Sequence, residues 1–158
     1  MAGARTPATK ALDAAGVRYT AHPYVAPGHD GYGTEAADAL GVPPARVLKT
    51  LVAEVDGTPV LAMVPVAGTL DLKALAAARG AKRATMADPA TAQRLTGYVV
   101  GGIAPLGTRR ALPVLVDRSA LDFPTVHCSA GRRGLQLELA PGDLVAAAGA
   151  TVADLAAG

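Results

Sequence analysis

Cysteine is nearly absent: the 158-residue chain carries one, Cys128. That excludes a disulfide framework and any zinc or iron–sulfur site built on several thiolates. Tryptophan is missing and aromatic residues make up only 3%, so a core must be assembled from small aliphatic side chains, mostly Ala, Val and Leu. No apolar run approaches the roughly 18 residues of a membrane-spanning helix. The opening Met1-Ala2-Gly3-Ala4-Arg5-Thr6-Pro7 has no hydrophobic signal region before it turns polar. Charged residues stand at 18% against 51% hydrophobic, a balance that excludes a disordered or supercharged chain. The expectation is a reduced, cytoplasmic protein without membrane contact, one domain over residues 1–158 with a core of its own.

Catalytic machinery is equally scarce. The three histidines, His22, His29 and His127, form no HExxH-type arrangement, and no spacing argues for a metal. His127 and Cys128 are neighbours in a strand-like stretch, so they point to opposite faces and cannot form a thiolate–imidazole pair. Cys128 reads as a small buried residue. Ser129 precedes a glycine-containing turn but lacks the GxSxG context of a nucleophile elbow. The glycines match neither a dinucleotide fingerprint nor a P-loop, so no cofactor is expected.

The charge is unevenly distributed. Residues 1–72 carry five basic and seven acidic side chains, residues 73–133 ten and three, and residues 134–158 none and three. The middle segment holds the paired cations Lys82-Arg83, Arg109-Arg110 and Arg132-Arg133. Such a face suits a phosphate backbone, although cations also solubilise an alanine-rich surface.

Local signals give an α+β domain around a mixed, mostly antiparallel sheet packed with helices. Thr6-Pro7 and Asp88-Pro89 read as helix starts, and Gly16 and Gly97 as stops. Thr34 is expected to cap a helix over Glu35–Leu40, and Thr69 another that runs through Arg79. Val17–His22 alternates like a half-buried strand. Val47–Val55 and the nearly all-apolar Val60–Val66 flank a hairpin turn at Asp56-Gly57, and the second strand suits the middle of a sheet. Lys82–Met86, Val114–Val116, Thr125–Ser129 and Leu135–Leu139 read as further strands, with Gly131–Gly134 as a turn. Pro141-Gly142-Asp143 begins a closing helix.

Two features look shaped for a ligand. Lys49 shares a strand face with Val47 and Leu51, while Leu48, Thr50 and Val52 occupy the other. It either snorkels at an edge or projects into a polar pocket. Gly101-Gly102, with Gly97 and Gly107 nearby, is either a plain tight loop or a wall whose amides approach a phosphate or carbonyl.

These stretches, together with Thr6-Pro7-Ala8, Tyr32-Gly33-Thr34-Glu35-Ala36-Ala37, Val47-Leu48-Lys49-Thr50-Leu51, Val64–Gly68, Leu70–Lys73, Met86–Pro89, Thr96–Gly107 and Arg133–Leu139, resemble the YbaK/EbsC family of aminoacyl-tRNA deacylases. That family is related to the editing domain of bacterial prolyl-tRNA synthetase. The likeness covers nearly the whole chain in order, and its nearest subgroup is the Cys-tRNA(Pro) deacylases. It implies a mixed-sheet α+β fold whose pocket admits the aminoacylated 3′ end of tRNA. Lys49 matches the family lysine most closely tied to activity, which holds the terminal phosphate–ribose region. Gly101 and Gly102 match the pocket loop, and Tyr24, Tyr32, Gly33, Thr50, Ile103, Ser129 and Gln136 are the other implied substrate-binding positions. Many relatives carry Asp where this chain has Gln136. The amide keeps hydrogen bonding and loses the charge, while Glu138 on the same strand face offers a compensating carboxylate.

The resemblance also supplies a nucleophile. In Cys-tRNA(Pro) the substrate's own thiol attacks its ester and expels tRNA through a cyclic thioester, with the protein positioning the ester and stabilising the oxyanion. It implies tRNA(Pro) as a partner and a ternary complex with prolyl-tRNA synthetase. The rivals are a deacylase for Ala-tRNA(Pro) or another mischarged tRNA, and a non-catalytic tRNA- or nucleotide-binding module.

Overall fold

The computed structural model describes residues 5–25 and 32–157, with the side chains of residues 32–35 outside that description. Helix α1 (Pro7–Ala14) starts where Thr6 accepts the Thr9 N–H, with Pro7 in the first turn. Strand β1 (Thr20–Pro23) turns Ala21 into the core, as do Val17 and Tyr19 just before it. The second helix, α2, spans Tyr32–Leu40 and so begins before the expected Thr34 cap. A 3-10 turn over Pro44–Arg46 leads into β2 (Leu48–Val55).

β2 and β3 (Thr58–Pro65) form the expected hairpin, with Asp56 and Gly57 both at positive φ. β3 lies in the middle of a five-stranded sheet of order β5-β2-β3-β6-β9, where β5 is Ala84–Met86, β6 Val114–Asp117 and β9 Thr151–Ala153. β2 pairs antiparallel with β3 and β5, whereas β6 runs parallel to β3 and β9. A three-stranded antiparallel sheet of order β1-β8-β7 uses β7 (Val126–Arg132) and β8 (Leu135–Leu139). A bridge between Val47 and His127 joins the two sheets.

Three local expectations are corrected. Thr69 does not cap a helix: Thr69–Leu70 is β4, paired with β10 (Ala156–Ala157). Helix α3 (Leu72–Ala78) is capped instead by Asp71, whose carboxylate accepts the Lys73 and Ala74 N–H groups at 3.0 and 3.1 Å. The turn over Gly131–Gly134 begins later than expected, because β7 continues through Arg132. The extension is possible because the register shifts between Ser129 and Arg132, with Gly131 at φ 110°. Chain folding also continues beyond α5 (Pro141–Ala148) into β9 and β10. There Asp117 accepts the Leu155 and Ala156 N–H groups at 2.8 and 2.9 Å, anchoring this segment.

Helix α4 (Pro89–Thr96) starts at the Asp88 cap and stops at left-handed Gly97. The larger apolar cluster, between the sheets and under α1, α4 and α5, contains Leu12, Leu48, Val52, Leu95, Ile103, Val116, Cys128 and Leu137. A smaller cluster of Ala53, Val55, Val60, Val64, Leu75 and Leu155 covers the other face of the large sheet. Among the described residues, no helix is long and apolar enough to cross a membrane.

Candidate active site

The site arises from incomplete strand pairing. β5 pairs with Ala53–Val55 of β2, and the bridge to His127 lies at Val47. The intervening edge, Leu48–Val52, borders a cavity of about 330 Å³, at the small end of ligand pockets. Its walls come from β2, the β5–α4 connection (Met86, Ala87 and Pro89), the glycine loop (Val100, Gly101 and Ile103), and Ser129 and Gln136 of the smaller sheet.

Six of the candidate residues, Lys49, Thr50, Gly101, Ile103, Ser129 and Gln136, line this cavity. Lys49 is half-buried and contributes the one ionisable side chain among the described lining residues. Val47, Leu48, Leu51, Val52, Val66, Met86, Val100 and Ile103 make the walls mainly apolar. A single ammonium in such surroundings acts through less screening than it would at an open surface. The Thr50 hydroxyl and Gln136 Oε1 are buried without a hydrogen-bond partner. Leaving a buried polar atom unpaired costs on the order of 1–3 kcal/mol, so two beside one cavity mark where a polar ligand would bind.

Gly102 has a different position. It is buried, and a Cβ there would lie 2.8 Å from the backbone of Arg132 and Arg133. It packs the loop onto the end of β7 and stands outside the cavity lining. The loop is tied further by the Gly102 N–H to the Val99 carbonyl at 2.9 Å and by the Tyr98 hydroxyl to the Leu106 carbonyl at 2.6 Å. Tyr24 follows β1, and its N–H donates to the Gly134 carbonyl at 2.9 Å; it does not line the cavity. Tyr32 and Gly33 open α2, and their side-chain positions lie outside the described residues.

Ser129 Oγ accepts the Gly131 N–H at 3.1 Å. Cys128 points into the core and is fully buried, which pushes its thiol up to about 12. A thiol so protonated is a poor nucleophile. Glu138 does not compensate for the amide at Gln136 within the cavity. It accepts from Thr125 at 2.6 Å, pairs with His22 at 2.8 Å and Arg46 at 3.2 Å, and these contacts occupy it elsewhere. Hydrogen bonds from Thr125 and His22 lower its pKa, while burial lowers that of His127.

The sequence reading missed most of the apolar wall. In the sequence Met86–Pro89 carries a family likeness without a role, and only the end of β5 pairing brings it into the same cavity lining as Lys49. Two basic pairs flank the glycine loop: Arg109 and Arg110 donate their N–H groups to the Thr96 and Leu95 carbonyls, and Arg132 and Arg133 meet Gly102. Lys82 and Arg83 precede β5, their N–H groups held by the Asp56 carboxylate.

Comparison with known proteins gives this arrangement a family. The model of the aminoacyl-tRNA editing domain matches residues 27–147. EbsC of Enterococcus faecalis, provisionally named a Cys-tRNA(Pro)/Cys-tRNA(Cys) deacylase, is 40% identical over 106 residues, 66% of this chain and 65% of its own. A proline–tRNA ligase of Acidithiobacillus ferrooxidans is 33% identical over 87 residues, 55% of this chain but 15% of the ligase. The chain thus spans less than two thirds of the length of either relative. A crystal structure of a protein provisionally identified as a trans-editing enzyme for prolyl-tRNA synthetase superposes with a TM-score of 0.83 at 28% identity, covering 98% of this chain and 99% of that one. The fold is shared with that trans-editing structure, and the chain belongs to the aminoacyl-tRNA editing domain family.

Proposed function

We propose that this chain is a trans-editing aminoacyl-tRNA deacylase that clears mischarged tRNA(Pro), with the cysteinyl ester as its substrate. The observation that carries this reading is the cavity in which Lys49 is the one ionisable residue among the described lining, together with Gly101 and two unpartnered polar atoms. The 40% identity to EbsC and the likeness to a trans-editing enzyme support it. In this reading the Lys49 ammonium holds the terminal phosphate–ribose region. The apolar wall surrounds the aminoacyl group, and the flanking cationic pairs meet the acceptor stem in the cytoplasm. A ternary complex with prolyl-tRNA synthetase would deliver the substrate.

Among the described residues, the cavity lining contains no Cys, His, Asp or Glu, which suits a reaction whose nucleophile comes from the substrate. The cysteinyl sulfur attacks its own ester carbonyl, the ester C–O bond breaks, and the thiol proton leaves with the ribose hydroxyl. Water then opens the cyclic thioester to free cysteine. Alanine and proline have no thiol, so discrimination comes partly from substrate chemistry where pocket shape separates close homologues weakly.

The test is a deacylation panel of Cys-, Ala- and Ser-tRNA(Pro), following the thioester-derived product from the cysteinyl ester. Cys-tRNA(Pro) should be released well above its rate in buffer, and Cys128→Ala should retain substantial activity. Faster release of alanine would move the specificity to Ala-tRNA(Pro), and tRNA binding without release would make the chain a binding module. Loss of turnover in a folded Cys128→Ala variant would overturn the substrate-thiol mechanism.

A second variant separates binding from folding. Gln136→Leu removes the unpartnered Oε1 and keeps an aliphatic side chain at a buried position. Replacing an unsatisfied polar group by an apolar one is neutral or stabilising. Chemical denaturation should show stability unchanged or raised, while kcat/KM falls by about tenfold, the order expected for one lost polar contact. Unchanged kcat/KM would remove Gln136 from the substrate site.

A further inference from the structure

A second cluster of reactive groups lies beside the cavity on the same face of the smaller sheet. His22 on β1 is in register with Gln136 on β8, and His127 on β7 with Glu138. The two imidazoles and the carboxylate converge there, with one ligand atom from each lying within 4.8 Å of the others. We propose that His22, His127 and Glu138 form a binding site for a divalent transition-metal ion of the zinc class, with water completing the coordination.

The donor set is two neutral nitrogens and one carboxylate oxygen, a combination that binds zinc with an open position. Zinc bonds of about 2.0–2.1 Å in a tetrahedron imply ligand atoms roughly 3.3 Å apart. His22 Nε2 lies 2.8 Å from Glu138 Oε1, and His127 Nε2 lies 4.0 Å from Glu138 Oε2. The two distances run to different carboxylate oxygens, and one ligand atom from each residue lies within 4.8 Å of the others, so side-chain rotation must draw the three together around the ion. The ion takes the place of the His22–Glu138 hydrogen bond, with the His22 Nε2 lone pair turned to the metal and any ring proton held at Nδ1.

The surroundings also fit. Arg46 and Thr125 bind Glu138 Oε2, leaving Oε1 toward His22, as an outer partner orients a ligating carboxylate. Arg46 is also the opposing charge, so the affinity should be lower than that of an all-anionic site. His127 is almost fully enclosed, and with Nε2 on the ion its Nδ1–H would lack an outer partner, which lowers the affinity further. His22 and Glu138 side chains are 33% and 26% exposed, which gives the ion a way in.

The experiment is titration of untagged, chelator-treated full chain with Zn²⁺ by calorimetry and thermal melting. The expected result is one ion per chain and a rise in Tm, since an ion bound only by the folded state stabilises it. His22→Gln, at a partly exposed position, and Glu138→Gln should each weaken binding by about tenfold or more, and His29→Gln should leave it unchanged. Absence of saturable binding, binding insensitive to His22→Gln and Glu138→Gln, or binding lost in His29→Gln would each overturn the proposal. The readout is metal binding, so its failure leaves the deacylase reading untouched, and the reverse also holds.

Discussion

Lys49→Ala should abolish deacylation while leaving the fold intact. The ammonium is the one ionisable group among the described cavity-lining residues, so no described neighbour in the lining can replace its charge. Loss of a positioned group that stabilises developing negative charge costs on the order of 10²–10³ in rate, and loss of positioning adds to that. Lys49 is half-buried on the stretch of β2 that β5 leaves unpaired, in a lining that is mainly apolar. Lys49→Met therefore preserves most of the packing and isolates the charge. Both variants should melt within a few degrees of the parent protein, and both should lose activity by at least about 10²-fold. Activity in Lys49→Met close to that of the parent would assign the lysine a packing role and remove the basis of the site.

Gly102→Ala is expected to damage stability and activity together. The added methyl carbon would lie 2.8 Å from three backbone atoms of Arg132 and Arg133. Backbone cannot rotate away as a side-chain tip can, so the loop or the end of β7 must move. Overpacking of this kind costs about 1–3 kcal/mol, or several degrees in Tm for a chain of this size. The same movement displaces Gly101, Ile103 and Ser129, which line the cavity. Misplacement by about 1 Å can cost 10²-fold in rate. Gly142→Ala is the control, because nothing lies within 4 Å of the added carbon and the position is helical. It should be neutral or mildly stabilising. Equal stability for the two variants would show that the loop yields without cost and that Gly102 is not needed for packing.

Much of the candidate site was legible because its signals are local. Lys49 interrupts an apolar strand, and the glycine loop places several small residues where a β-rich chain usually carries branched ones. The apolar wall was not legible. Leu51, Met86 and Pro89 look like ordinary core residues in sequence, and only the short pairing of β5 with β2 opens a space between them. Gly102 shows the same limit from the other side. Adjacent glycines suggested a ligand, but the close approach at the second one is to the protein's own backbone.

The sequence by itself determined the elements whose hydrogen bonds close within a few residues. Thr6-Pro7 and Asp88-Pro89 start helices, Gly97 ends one, and Asp56-Gly57 turns a hairpin. Each is dictated by a side-chain oxygen, a fixed φ or a missing Cβ at the position itself. The tertiary structure alone decided that Thr69 joins a strand with Ala157, that β9 lies parallel to β6, and that His22 meets His127 across β8. Those contacts join residues far apart in the chain, and their partners are selected by packing of whole sheets rather than by any preference written into the short segments that make them.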